Sequence, residues 1–285
     1  MVQRFALPTM VGVAIALVFA LAAPPLHAQA TTPTPDDIAR WIEELDSEDP
    51  AVRVDAAMHL GLARALEAAG PLLDHIDDPD PTVGYRIAIA LGQIAAPDSA
   101  SPLTNLLRDP DPTVRWRAAK ALGMMGAEQA IPTLSFALSS DDPLVVSAAA
   151  DALSLIGTPD AFARLIAPLR DRQWTPRRQA ATQALEAAGE AAVPSLLWAL
   201  DYGKDAQRRN AAELLGWIGD SQAVNGLLLV LDDRVPSVRA SAAWALGMIG
   251  DPVAIPPLEA LWARDSDSDV KRQAAIAVAR LRSQR

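Results

Sequence analysis

Apolar residues recur along the chain with a helical period and never with strict alternation, so the pattern predicts helices and no strands. The clearest stretches are residues 113–126, TVRWRAAKALGMMG, and residues 237–250, SVRASAAWALGMIG, with a third version, AVRVDAAMHLGLA, at residues 51–63. Anchoring on the leucine of the Leu-Gly step gives Leu60, Leu91, Leu122, Leu153, Leu185, Leu215 and Leu246, with Val278 in the eighth place. The intervals are 31, 31, 31, 32, 30, 31 and 32 residues. Fixed-period self-similarity of this length is the mark of a repeat architecture. At about 100° per residue, positions −8, −4, −3, −1, 0 and +3 from the anchor fall in one apolar arc. In the third repeat these are Val114, Ala118, Ala119, Ala121, Leu122 and Met125. So much alanine lets helices approach to about 8 Å, and each repeat must lean on the next to bury its face.

The punctuation divides each repeat into two helices. Asp-Pro pairs at Asp49-Pro50, Asp80-Pro81, Asp111-Pro112 and Asp142-Pro143 open the second helix, the Asp as cap and the Pro in the first turn. Gly126, Gly157, Gly189, Gly219 and Gly250 close it, where a left-handed stop is needed. Pro71, Pro102, Pro132, Pro194 and Pro256 mark the start of the next first helix. The prediction is an all-α solenoid of about eight helical hairpins over residues 36–285. Its regularity weakens around Trp174-Thr175-Pro176 and at residues 201–205, where a change of twist or a mild hinge is expected.

Residues 1–30 have the order of a secretory signal peptide: one charge at Arg4, an apolar run over residues 10–23, and small residues Ala28 and Ala30 before a cleavage point. The run is short for a membrane-spanning helix. The expected product is an exported chain with no membrane insertion after cleavage, periplasmic or secreted, with residues 31–35 as an extended linker. Acidic Asp36, Asp37, Glu43 and Glu44 and basic Arg272, Arg280, Arg282 and Arg285 dress the two ends of the array as caps.

Composition narrows the chemistry. The formal net charge of −10 argues against nucleic acid as a partner, and the absence of cysteine excludes disulfides, thiolate nucleophiles and thiolate metal sites. No Gly-rich phosphate loop or nucleophile triad spacing occurs. Asp265, Asp267 and Asp269 resemble the opening of a calcium loop, but Val270 and Ile276 stand where that loop needs Gly and Glu. No metal, cofactor or catalytic residue is therefore assigned. His59 takes a place filled by alanine in other repeats and reads as a core-edge residue.

Asp-Pro, Val-Arg, Ala-Ala, Ala-Leu-Gly and the closing Gly, as in residues 111–126, resemble the HEAT-like repeats of phycocyanobilin lyase subunits, within the armadillo/HEAT superfamily. The resemblance covers nearly all of residues 36–285. It implies a right-handed α-solenoid whose second helices line the concave surface. The hydroxylase members of that superfamily bind iron through His-Glu pairs, and this chain has none. The resemblance also implies a ladder in which the basic residue seven positions before the anchor (Arg53, Arg115, Arg178, Arg208, Arg239 and Lys271) meets the Asp of nearby turns. Gly84 and Val146 interrupt that column.

What remains is an apolar and aromatic stripe at positions −6, −2 and +2 of the second helices, directed away from each repeat's own core. Its candidate binding residues are Tyr85, Trp116, Lys120, Met124, Arg209, Glu213, Trp217, Trp244 and Met248. Trp, Tyr, Met and Arg are the types enriched at interface centres. Trp41, Trp198 and Trp262 lie on first helices and are expected to fill core. The function that follows is a non-catalytic scaffold binding a protein or peptide on its concave face, with basic partners favoured by the acidic turns. The alternative, carried by the resemblance alone, is a bilin-lyase-like subunit or chromophore-handling protein.

Overall fold

The computed structural model describes residues 32–171 and 173–284, so the leader assigned to residues 1–30 lies outside the described residues. Sixteen α-helices and no strand occur among the described residues. They alternate as first and second helices of eight hairpins. The first helices are α1 (Pro35–Glu44), α3 (Ala69–Asp74), α5 (Ala100–Leu106), α7 (Ile131–Ala137), α9 (Pro159–Ile166), α11 (Val193–Tyr202), α13 (Val224–Leu229) and α15 (Ile255–Arg264). The second helices are α2 (Pro50–Ala63), α4 (Pro81–Ile94), α6 (Pro112–Met125), α8 (Pro143–Ile156), α10 (Pro176–Ala188), α12 (Asp205–Ile218), α14 (Pro236–Ile249) and α16 (Ser268–Ser283). Each hairpin packs on the next, giving the α-solenoid expected from the repeat.

The caps follow the punctuation. Asp80 accepts from the Thr82 and Val83 amides, and Asp111 and Asp142 cap their helices in the same way. Where Trp174-Thr175-Pro176 replaces Asp-Pro, the Thr175 hydroxyl takes over, accepting from the Arg178 amide at 3.3 Å. The five closing glycines all have positive φ. In the first two repeats the same stop is made by Arg64 (φ 52°) and Ala95 (φ 50°), at a cost of about 1 kcal/mol each. The prolines expected to begin the first helices stand second or third in them, because most of these helices are entered through a short 3₁₀ turn.

All seven anchor leucines are buried, as are most alanines of the arc, Ala118, Ala119 and Ala121 in the third repeat among them. Burying each leucine contributes about 1.5–3 kcal/mol. The closest packing runs along the second helices, through the glycine that follows the anchor. A Cβ added at Gly61, Gly123, Gly216 or Gly247 would lie within 2.8 Å of the Cα of Ala90, Ala152, Ala245 or Ala277 in the following repeat. Second helices therefore meet at backbone distance while first helices touch only lightly. The glycine column has two departures. At Ser154 the hydroxyl spans the gap by donating to the Ala184 carbonyl at 2.9 Å. At Glu186 the side chain is too large, and α10 and α12 barely meet. Burial raises the Glu186 carboxyl above its ordinary value. This is the junction where the sequence placed its irregularity.

Charged rungs reinforce part of the stack. Arg53 donates to Asp78 through Nε (2.7 Å) and Nη2 (3.1 Å) and to the Ser47 carbonyl through Nη1 (2.8 Å). Arg208 does the same with Asp233 and Gly203, and Arg239 with Asp265 and Asp233. Each guanidinium ties its own turn carbonyl to the turn carboxylate of the next repeat, a bidentate geometry that only Arg supplies. The Arg239 hydrogen bonds hold the Asp265 carboxyl below the usual range.

The ladder expected at six positions is corrected to these three rungs. Arg115 donates only to the carbonyls of Asp109 and Pro110, because the acceptor position in the next repeat is Ser140. Arg178 meets Gly203 at that position and turns instead to the Asn210 side chain and the Asp171 carbonyl. Lys271, on the last of the described helices, forms no rung among the described residues. The two interruptions are also resolved. Over Gly84 lies the guanidinium of Arg117 from the following repeat, 2 % exposed, donating to the carbonyls of Ile76 (2.8 Å) and Asp78 (3.1 Å). A Cβ on Gly84 would fall 2.0 Å from Arg117 Cζ. At Val146 no replacement enters from among the described residues, a cavity of about 750 Å³ lies beside it, and Asp171 pairs with Arg177 of its own repeat.

Two outcomes follow. Gly84→Ala expels Arg117 from its two carbonyls and should cost about 2 kcal/mol in urea unfolding. Combined with Arg117→Ala it should cost less than the sum of the two singles by more than about 1 kcal/mol, whereas simple additivity would contradict the shared site. His75 supplies the second. Burial opposes its charge, but Nδ1 bonds the Pro71 carbonyl (2.8 Å) and Nε2 bonds Asp46 (3.0 Å), and together these raise its pKa above the ordinary value. A raised folded-state pKa stabilises fully below the unfolded pKa and ceases to do so as pH climbs through the folded one. His75→Gln should therefore be less stable than the parent at about pH 5, by under about 1 kcal/mol because Asp46 is exposed. The difference should shrink by about pH 9; a constant difference would show that the ring acts by packing alone.

Candidate functional site

Apart from buried Ala240, the −6, −2 and +2 positions of the second helices form a half-buried to exposed face, since positions −1, 0 and +3 turn toward the stack. Two aromatic clusters stand on it. In the first, Tyr85 of α4 and Trp116 of α6 have ring centroids 6.1 Å apart, and Lys120 Nζ lies 5.2 Å from the Tyr85 ring. Leu144, Ser147, Asp151 and Leu155 of α8 complete a groove of about 240 Å³. Asp151 is exposed at its tip, yet the groove walls raise its carboxyl above the ordinary value, with Lys120 pulling in the opposite direction. In the second cluster Trp217 of α12 meets Trp244 of α14 edge-on at 5.2 Å. Arg209, Glu213, Asp269 and Gln273 surround the pair in a groove of about 570 Å³. Glu213 accepts from the Ser241 hydroxyl at 2.9 Å and stands 3.8 Å from Arg209.

Seven of the nine candidate residues thus gather into two groups, not one continuous stripe. Between them α10 presents exposed Gln179, Gln183 and Ala187, a polar span without an aromatic. Met124 and Met248 have a different role. Met124 fills the space over Gly92, where a Cβ would lie 2.5 Å from its own Cβ, and the Met248 sulfur receives the Arg280 guanidinium. Both are half-buried packing residues. The sequence missed Leu62 of α2 and Leu144, each about two-thirds exposed on this layer.

The first-helix tryptophans require correction. Trp198 and Trp262 are 60 % and 54 % exposed, joined on the outer layer by Phe136, Tyr202 and Leu229. A short first helix buries a single face, and in α11 Leu196, Ala199 and Leu200 already fill it. Trp198 therefore packs on Tyr202 one turn away, at 5.5 Å. Trp41 is half-buried and stacks on His59 at 4.8 Å, covering the first edge of the array.

Among the described residues no three His, Asp or Glu side chains lie together as a metal site, and no helix is long and apolar enough to cross a membrane. The acidic residues that resembled a calcium loop are engaged elsewhere: Asp265 with Arg239, Asp267 as the cap of α16, Asp269 with Arg272.

Structural comparison returns helical repeat proteins. A mutant of Kap121p superposes with a TM-score of 0.52 at 14 % identity, covering 90 % of this chain and 34 % of that one. The complex of CpcE and CpcF of phycocyanin lyase from Nostoc sp. PCC7120 gives 0.44 at 23 % identity, covering 91 % of this chain and 100 % of that one. Human deoxyhypusine hydroxylase gives 0.40 at 23 %, covering 87 % and 96 %. No curated protein matches by sequence. The profile of HEAT repeats matches residues 38–111, 100–186 and 193–279, which takes in nearly all of the sixteen helices. With its hairpins, its glycine-to-alanine contacts and its Arg–Asp rungs in place, the chain belongs to the HEAT repeat family.

Proposed function

We propose that the protein is an exported, non-catalytic scaffold that binds a partner protein or peptide along its second-helix, concave face. The observation that carries this reading is Trp217, which remains 63 % exposed in the most closely packed layer of the molecule, edge-on to Trp244. A tryptophan left open on a rigid surface offers apolar area with little entropy still to lose on binding. The Tyr85–Trp116 cluster supplies a second anchor, and the glutamine span between them can pass a peptide backbone by hydrogen bonding.

Replacing Trp116, Trp217 and Trp244 together by alanine should abolish capture of the partner from the native envelope fraction and leave the helical circular dichroism signal intact. Undiminished capture would refute the assigned surface. Export rests on residues 1–30 alone. N-terminal sequencing of the protein from its native host should read from Thr31 in the extracytoplasmic fraction; an intact Met1 in the cytoplasm would remove that part of the reading.

A further inference from the structure

One region contradicts the acidic character of the chain. Next to the Trp217–Trp244 groove, and sharing Arg209 and Ser237 with it, lies a cavity of about 850 Å³. Its ionisable lining is Arg170, Lys204, Arg208, Arg209 and Arg234, with Asp205 the one carboxylate among them. In a protein of net charge −10 this is a local reversal of sign.

The reversal has a structural origin. The turn column that supplies carboxylates to the ladder reads Ser47, Asp78, Asp109, Ser140, Asp171, Gly203, Asp233 and Asp265. At Gly203 the carboxylate is lost while Lys204 beside it is gained. Some of the cavity's positive charge is already committed: Arg208 is satisfied by Asp233, and Asp205 is shared between Arg234 (3.0 Å) and Arg208 (3.3 Å). Arg170 and Lys204 are exposed and form no ion pair among the described residues. Arg209 donates to the neutral Asn210 Oδ1 (3.2 and 3.4 Å), and its one ion pair among the described residues is a loose 3.8 Å contact with Glu213. Its charge is felt next door: Arg178 is held below its ordinary value, by burial first and by Arg209 second. Three under-compensated cations therefore converge at one junction.

We propose that this cavity and the Trp217–Trp244 groove form one composite site for an acidic peptide segment. Its carboxylates lie among Arg170, Lys204 and Arg209, and a neighbouring apolar side chain packs on the indoles. The proposal rests on the scaffold reading above and names the chemistry of the partner. It replaces the preference for basic partners expected from net charge, because ligands respond to the local field and not to the total. Continuity with an aromatic groove selects a peptide over a free anion, since inorganic phosphate would leave the indoles unused.

The probe is a fluorescein-labelled peptide with a short run of aspartates followed by leucines, titrated into the full mature chain by fluorescence anisotropy. Binding should weaken about tenfold or more in Arg170→Glu/Lys204→Glu, in Trp217→Ala, and on raising the salt. Neither side chain forms an ion pair among the described residues, so the helical signal should persist. Equal affinity for a lysine version of the probe would overturn the proposal. So would binding that is unaffected by changing the leucines to serine yet displaced by phosphate, which describes a simple anion site. If the native partner is captured but the acidic probe never binds, the chemistry assigned here is wrong and the scaffold reading stands.

Discussion

The structure depends on how closely one second helix can approach the next. At most junctions a glycine one residue after the anchor leucine lies against the next second helix, in four cases against the alanine one residue before the next anchor, and a Cβ has no room between them. This constraint explains several features together: the alanine-rich composition, the interval near thirty-one residues, and the gathering of exposed second-helix residues on one layer. A lone hairpin could not keep its apolar arc dry, so the stability of each repeat is largely that of its interfaces.

The polar rungs are a second, local layer. Where Arg and Asp are both present the guanidinium spans two repeats, and where one is missing the chain improvises. Arg117 reaches back over Gly84, Asn210 bonds the Leu169 carbonyl and receives Arg178, and Asp171 turns to Arg177. The intact rungs join the first two repeats and the last three; the four junctions between them depart from the pattern. Substitution in the middle of the array has released charge and opened space, and the basic cavity around Lys204 is one product. A solenoid can tolerate such departures because each affects mainly its neighbours.

Most of the fold was legible in the sequence because every repeat restates the same instructions: a capping Asp, a proline in the first turn, an apolar arc, a glycine stop. The ladder was only partly legible. The donors form a visible column, but a rung needs the acceptor about twenty-five residues later as well, and Ser140 and Gly203 do not provide it. Arg117 was illegible as a rung because it enters from the neighbouring repeat; the one signal was the glycine at position 84. Helical angle separated exposed from buried positions on the second helices, yet could not show that Met124 packs on Gly92 of the preceding repeat or that Met248 is met by Arg280 of the next. On the first helices, residue type misled where geometry decides. Trp198 and Trp262 lie off the single buried face, however apolar they are.

The most direct test of the account is native-state hydrogen exchange along the second helices. Close contact through the glycine column joins α12, α14 and α16, and joins α2 through α8 with Met124 over Gly92 at the α4–α6 step, while α10, with Glu186 in that column, barely meets α12. The amides should therefore fall into two cooperative sets with different opening free energies, divided between Ala188 and Asp205. A single opening across that junction, or a boundary at the tightly packed α6–α8 interface instead, would contradict the claim that backbone-distance packing holds the array together.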